Sequence, residues 1–337
     1  MTHQNAKSRR TFLTQSALLG TGVFFAKDLL ALAQADSKFG GVQIGSITYS
    51  FRSLPTDADR VIEYCKQSGI TALEMLGDTA EAYAGSPAAT TQPMRMMAPP
   101  PGAAPGQRPP MSDEQRKAMM ERMQKGREWR ENVSMDKFVE LRKKFNDAGI
   151  TIYAYKPNAL GENNSDGEIE YAMKAAKALG ATSVTVELPT KPEQSKRLGD
   201  FGAKHKIYVG YHAHLQATDT AWDVALEQSK YNSMNLDCGH YIAAGGNNTK
   251  ETLLALIEAK HDRISSIHLK DRTNKEHGSK NLAWGTGDTP IVEILQLMKK
   301  KKYKFPATIE LEYEVPADSD AVKEVAKCVE YAKKALS

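Results

Sequence analysis

The sequence predicts a (β/α)8 barrel, a TIM barrel of the α/β class, on three observations. Strand-like and helix-like segments alternate eight times over about 300 residues. Glycine closes a helix just before the next strand at Gly69, Gly149 and Gly180. Polar side chains able to hold a cation recur at the C-terminal ends of the strands. A doubly wound sheet would want a Gly-rich turn after its first strand, and Ser50-Phe51-Arg52-Ser53 is not one.

Residues 1–35 read as an export signal ahead of the barrel. Ser8-Arg9-Arg10-Thr11-Phe12-Leu13 precedes an apolar run from Ala17 to Ala26, and Ala31-Leu32-Ala33 offers a small-residue cleavage site. The paired arginines resemble a twin-arginine signal, so the expectation is a periplasmic protein. The apolar run is too short for a membrane span, which needs about 20 residues. The barrel is expected over residues 36–337.

The elements follow in order. Val42 to Phe51 reads as strand one, Asp57 to Gln67 as a helix, and Ile70 to Leu76 as strand two. Met135 to Ala148 is a helix with Phe138, Leu141 and Phe145 on one face, and Ile150 to Lys156 is strand three. Glu168 to Leu179 and Thr182 to Leu188 form the next pair, then Lys196 to His205 and Ile207 to His212. Asp219 to Lys230 and Ser233 to Asp237 follow, then Lys250 to Lys260 and Ile264 to Lys270. Pro290 to Lys301, strand eight at Ala307 to Leu311 and a last helix from Asp320 to Ala335 complete the set.

One stretch breaks the period. Residues 79–134 form a Pro/Met-rich insertion after strand two, with Pro99-Pro100-Pro101 and Pro109-Pro110, and seven of the 13 methionines lie between Met94 and Met123. Its first half predicts an extended loop. Ser112-Asp113-Glu114-Gln115 predicts the capped start of a helix to about Arg130. Methionine clusters in exported proteins can take Cu(I), although apolar contact is their more ordinary use. Following strand two, the insertion is expected at the C-terminal face of the barrel, as a lid or a wall of the substrate cleft.

Composition excludes several classes. Apolar residues are 41% and charged residues 26%, which is globular. Cys65, Cys238 and Cys328 form neither a disulfide framework nor a CxxC pair. The net charge of +4 includes +3 from residues 1–35 (Lys7, Arg9, Arg10 and Lys27 against Asp28), so the remainder is nearly neutral. That gives no electrostatic case for nucleic acid or for an anionic membrane. No GxSxG elbow, Walker loop or HExxH occurs, and nothing implies NAD or flavin.

Successive side chains on a barrel strand point in and out alternately. The inward set at the strand ends is Glu74, Lys156, Glu187, His212 and His214, Asp237, His268 and Lys270, and Glu310 with Glu312. Buried charges need compensation, and a divalent cation supplies it. Mixed Glu/Asp/His ligation suits one Mn, Co, Zn, Mg or Fe ion.

At these residues the chain resembles the xylose isomerase-like TIM-barrel superfamily of sugar phosphate isomerases and epimerases. The likeness rests on Cys238-Gly239-His240 after Asp237, His268-Leu269-Lys270-Asp271, Trp284-Gly285-Thr286-Gly287-Asp288 and Ile309-Glu310. It implies metal ligands at the ends of strands five to eight, carried here by His212, Asp237, His268 and Glu310. It implies substrate contacts at His240 and Arg272. Lys156, Glu74 and Trp284 are further substrate-side candidates, the last by stacking on a sugar ring. Strand five has Tyr211-His212-Ala213-His214 where the epimerases carry a catalytic glutamate. His212 is favoured over His214 as the ligand, and Glu187 is either an additional ligand or the replacement base.

The expected substrate is a small carbohydrate, and the expected chemistry is proton abstraction next to a carbonyl through a metal-stabilised enediolate. Glu310 and Glu187 are the leading acid/base pair, with His214 and Lys270 next. Epimerase, isomerase and 3-keto-glycoside lyase or hydratase share that enolate. The reading of a different class is a non-catalytic exported sugar- or metal-binding protein.

Overall fold

The computed structural model describes residues 36–94 and 111–337. The export-signal residues 1–35 and the central stretch of the insertion, 95–110, lie outside the described residues.

Eight parallel strands close on themselves: β1 (Val42–Ile47), β2 (Ala72–Leu76), β3 (Thr151–Lys156), β4 (Ser183–Glu187), β5 (Tyr208–His212), β6 (Asn232–Asp237), β7 (Ile264–Leu269) and β8 (Ala307–Ile309). Each pairs with its sequence neighbour, and β8 pairs with β1 in the register Ala307 to Ile44. Around them run α1 (Ala58–Ser68), α2 (Gly77–Tyr83), α3 (Asp113–Asn132), α4 (Asp136–Asp147), α5 (Asp166–Leu179) and α6 (Pro192–His205). The ring is completed by α7 (Asp223–Gln228), α8 (Cys238–Ala244), α9 (Lys250–Lys260), α10 (Ile291–Lys301) and α11 (Ala321–Leu336). No helix among the described residues is long and apolar enough to cross a membrane.

The alternation sorts the side chains as expected. Ile44, Leu73, Val184, Val209, Leu236, Ile267 and Ile309 are buried in the layer between strands and helices. The inner face is polar or small. Tyr153 reaches across the axis to Gly45, where an added Cβ would sit 3.0 Å from the ring, and its hydroxyl meets Thr308 Oγ1. That tyrosine forms a floor beneath the polar strand ends.

Local chemistry sets the helix boundaries. Asp57 caps α1 by accepting from Arg60 N, and Gly69 ends it in the left-handed region at φ 75°. The predicted insertion helix forms as α3, with a capping box in which Ser112 Oγ accepts from Gln115 N and Gln115 Oε1 accepts from Ser112 N. Its other end is fixed by an ionic contact. Arg130 donates through Nε and Nη2 to both oxygens of Glu81 on α2, at 2.8 and 3.0 Å, and through Nη1 to Glu168 on α5 at 3.2 Å. Trp129 beside it packs edge-on to Tyr171.

Where the first half of the insertion predicts an extended loop, its start instead continues a helix, α2, over Gly77–Tyr83. Four further elements differ from expectation for physical reasons. Strand one ends at Ile47, and Thr48–Phe51 is a 3-10 turn, because Ser50 Oγ donates to Ile309 O and accepts from Leu311 N in place of a ladder. Helix α6 starts at Pro192, four residues earlier than Lys196, because proline suits the first turn. Helix α7 spans only Asp223–Gln228, since Asp219 is drawn off to the Tyr241 hydroxyl and Trp222 Nε1 donates to Tyr211 O. A short helix, α8, follows β6 directly because Asp237 caps it.

Candidate metal and catalytic centre

The ends of β2 to β8 deliver polar side chains to the barrel mouth, and the depth of burial grades from rim to floor. Glu187 and His214 stand at the rim with half their side chains exposed. Glu310 and His240 are nearly buried, and His212, Asp237, His268 and Glu74 are buried fully.

His212, Asp237, His268 and Glu310 come together: one ligand atom from each lies within 4.8 Å of the others. They belong to β5, β6, β7 and the residue after β8, so only barrel closure brings them to one point. Asp237 is oriented by the turn into α8. Its Oδ1 accepts from His240 N at 2.7 Å, which leaves Oδ2 for the centre. His212 is oriented by Asn235, whose amide donates to Ser266 Oγ at 2.7 Å. The Asn235 carbonyl oxygen therefore accepts from His212 Nδ1–H at 2.8 Å, and His212 presents an unprotonated Nε2 toward Asp237. Burial, then Lys156 and His268, push the His212 ring down to about 3, so it stays neutral.

His268 is held at both nitrogens, Nε2 to Glu74 at 2.8 Å and Nδ1 to Glu310 at 3.1 Å. Burial pulls its pKa down, but the Glu74 and Glu310 carboxylates outweigh burial and push it up to about 10. Burial likewise raises the Glu310 carboxyl, yet Lys270 and His268 hold it well below its usual range. The ammonium of Lys270 lies 2.7 Å from Glu310 Oε2 and 3.0 Å from Asp237 Oδ2.

The donor set fits a divalent cation. It has two carboxylates, the unprotonated Nε2 of His212, and His268 once its Nδ1 has released the proton it shares with Glu310, and Asp237 Oδ2 is buried without an aligned hydrogen bond, its contact to Lys270 being an ion pair only. A carboxylate–histidine arrangement backs one ligand, Glu74 behind His268, and an amide–histidine arrangement backs another, Asn235 behind His212. Asn235 shares a face of β6 with Asp237, so strand alternation alone also marks it as facing the centre. We expect Asn235→Ala to lower metal affinity about 10- to 100-fold, read by calorimetric titration, because His212 loses its fixed tautomer.

The remaining candidates divide. Glu187 does not join the four-residue group. It pairs with Lys156 at 2.9 Å and His214 at 3.2 Å at the rim, outside that group. Burial raises its carboxyl and Lys156 more than offsets that, so it is ionised. Glu74, expected at the substrate side, is fully buried beneath His268. His240 stacks on His214 with ring centroids 4.5 Å apart. Arg272 Nη1 donates to His240 Nδ1 at 2.6 Å, so the neutral ring carries its proton on Nε2. Burial, with Lys270 and Arg272 nearby, depresses His240 far below its usual range.

Trp284 is a correction. Asp271 accepts the backbone N–H groups of Gly285, Thr286, Gly287 and Thr289, which curls the loop around that carboxylate. The curl turns Trp284 outward onto Tyr331 of α11, edge-on at 5.9 Å, instead of over the mouth. A cavity of about 810 Å³ opens at the opposite end of the barrel among the strand starts, including Tyr153, Ser233 and Arg263. It lacks the four-ligand convergence, so chemistry rather than volume selects the site.

The family model for a xylose isomerase-like TIM barrel matches residues 62–332. Among solved structures, the chain is similar to a sugar phosphate isomerase/epimerase from Parabacteroides distasonis at 15% identity, over 88% of this chain and 96% of that one, with TM-score 0.53. A 3-keto-D-glucoside 4-epimerase from E. coli aligns at 12% identity over 87% and 99%, TM-score 0.55. The "probable 3-DHS dehydratase" of Bacillus anthracis aligns at 13% identity over 85% and 97%, TM-score 0.57. At these identities the likeness establishes the barrel alone. No curated protein matches the sequence.

Proposed function

Because the chain belongs to the xylose isomerase-like TIM barrel family, we propose that it is a divalent-metal-dependent isomerase or epimerase of a small sugar or keto-sugar. The observation that carries this is the convergence of His212, Asp237, His268 and Glu310 within 4.8 Å. A divalent cation held by these four supplies Lewis-acid stabilisation of the negative oxygen that develops when a carbon next to a carbonyl loses its proton.

The chain's own groups do the rest. Glu310 and Glu187 are ionised carboxylates at the ends of β8 and β4, four strands apart and so on opposite sides of an eight-stranded ring. One removes a proton from one face of the substrate and the other returns it to the opposite face, which inverts a carbon centre. Lys156 holds Glu187 in its charged form, and half-exposed His214 links Glu187 to solvent. His240 offers Nε2–H as a hydrogen-bond donor to a substrate hydroxyl, its tautomer fixed by Arg272. Loss of a β-substituent from the same enolate would make the reaction a lyase or dehydratase.

The test is exchange of a carbon-bound proton with deuterated solvent, followed by NMR over ketoses and 3-keto-glycosides. Exchange with an inverted product supports the epimerase, exchange with an unsaturated product supports the lyase, and binding without exchange returns the protein to the class of sugar binders. Export to the periplasm is part of the proposal and rests on Ser8 to Leu13. Cell fractionation tests it.

A further inference from the structure

We propose that Lys270 is a built-in competitor for the metal, with Glu312 as its second anchor, so that this pair sets how tightly the centre takes a divalent cation. The inference rests on the metal reading above. Lys270 lies two residues past His268, and its side chain is 3% exposed. Its Nζ reaches three carboxylates: Glu310 Oε2 at 2.7 Å, Asp237 Oδ2 at 3.0 Å and Glu312 Oε2 at 2.7 Å.

Two of those oxygens belong to residues of the ligand set. Asp237 has only Oδ2 to give, because Oδ1 caps α8. An ammonium and a divalent cation on the same oxygen repel strongly at low dielectric. Metal loading therefore requires Nζ to leave Asp237 and lean toward Glu312, which is outside the four-residue group and is the most exposed of the three carboxylates. Glu312 keeps the displaced charge paired, where an unpaired buried ammonium would be costly.

The chain makes room for this lysine. Gly239 lies inside α8 without a positive φ, so its backbone does not demand glycine. A Cβ there would collide with Lys270 Cγ and would meet the Lys270 carbonyl at 2.7 Å. Gly239 thus lets both the backbone and the stem of residue 270 lie close against α8, and the Cys238-Gly239-His240 turn that aims Asp237 also lies against its competitor.

The experiment titrates Mn2+ and Zn2+ into purified wild-type protein, Lys270→Met, Lys270→Gln, Glu312→Gln and Asp237→Asn. The readouts are calorimetry and the rise of melting temperature with metal concentration. Both Lys270 variants are expected to bind about tenfold more tightly or better, and Glu312→Gln several-fold more weakly. A lysine that merely supports the fold would give weaker binding in the Lys270 and Glu312 variants alike, and that result overturns the proposal. Should Lys270→Met fold only with metal present, a steeper metal dependence of its melting temperature than in wild type gives the same answer. Asp237→Asn separates the two readings. If it leaves metal affinity unchanged, the metal centre itself is wrong. If it abolishes binding while the Lys270 variants gain nothing, only the competitor role falls.

Discussion

Glu310→Gln should lower kcat about a thousandfold, within the range of a lost general acid or base. Glutamine keeps the shape and one acceptor for Lys270 but cannot take a proton from carbon. Glu310 stands at the centre in its ionised, proton-accepting form. It is nearly buried, and Lys270 at 2.7 Å and His268 at 3.1 Å keep it charged. The matching Glu187→Gln variant separates the two proton transfers. If Glu310 abstracts and Glu187 returns the proton, Glu187→Gln still exchanges deuterium into the substrate while the inverted product falls away. Glu310→Gln should lose both. Metal content is measured on each variant, since Glu310 also belongs to the ligand set and Glu187 does not. A Glu310→Gln protein that turns over at the wild-type rate would sink the assignment.

Arg130→Met should destabilise the fold by about 3–5 kcal/mol, the usual cost of removing one partner from a buried ion pair. Glu81 and Glu168 are each only 1% exposed at the side chain, and Arg130 is the cation that both of them contact. Removing it strands the buried Glu81 carboxylate, to which Tyr171 still donates, while Glu168 keeps the more distant Arg127, at 3.9 Å. Urea unfolding reads the loss. The double variant Arg130→Met/Glu81→Leu should recover part of it, because an apolar pair of similar volume avoids the stranded charge. Glu168 stays stabilised in both by its role in the α5 capping box with Ser165. An Arg130→Met protein within 1 kcal/mol of wild type would mean that α3 docks through Trp129 and its apolar neighbours instead.

This ion pair also shows where the sequence stops being informative. The capping box at Ser112 and Gln115 was legible, because a cap is a relation between residues three apart. The docking of α3 was not, because Arg130 finds Glu81 and Glu168 at 49 and 38 residues' separation. The Met/Pro-rich composition pointed to a cleft wall. Among the described residues, Met119 and Met123 line a cleft of about 560 Å³ between α3 and the loop after β3, and none of the residues of the candidate centre lines it.

The centre divides the same way. Alternation along each strand determined which face carries Glu187, His212, Asp237, His268 and Glu310, since the side-chain period of a strand is fixed by its backbone. Side-chain caps at Asp57, Ser112, Ser165 and Asp320 and glycines at Gly69 and Gly180 set several helix ends, for equally local reasons. Tertiary structure alone decided which of those inward groups meet. Ring closure brings His212, Asp237, His268 and Glu310 together and leaves Glu187 at the rim with Lys156. The Asp271 carboxylate sends Trp284 away from the mouth. The common reason is range: periodicity and capping act over a few residues and are written in the chain, whereas charge pairing in a low-dielectric interior depends on distances that exist only once the barrel has closed.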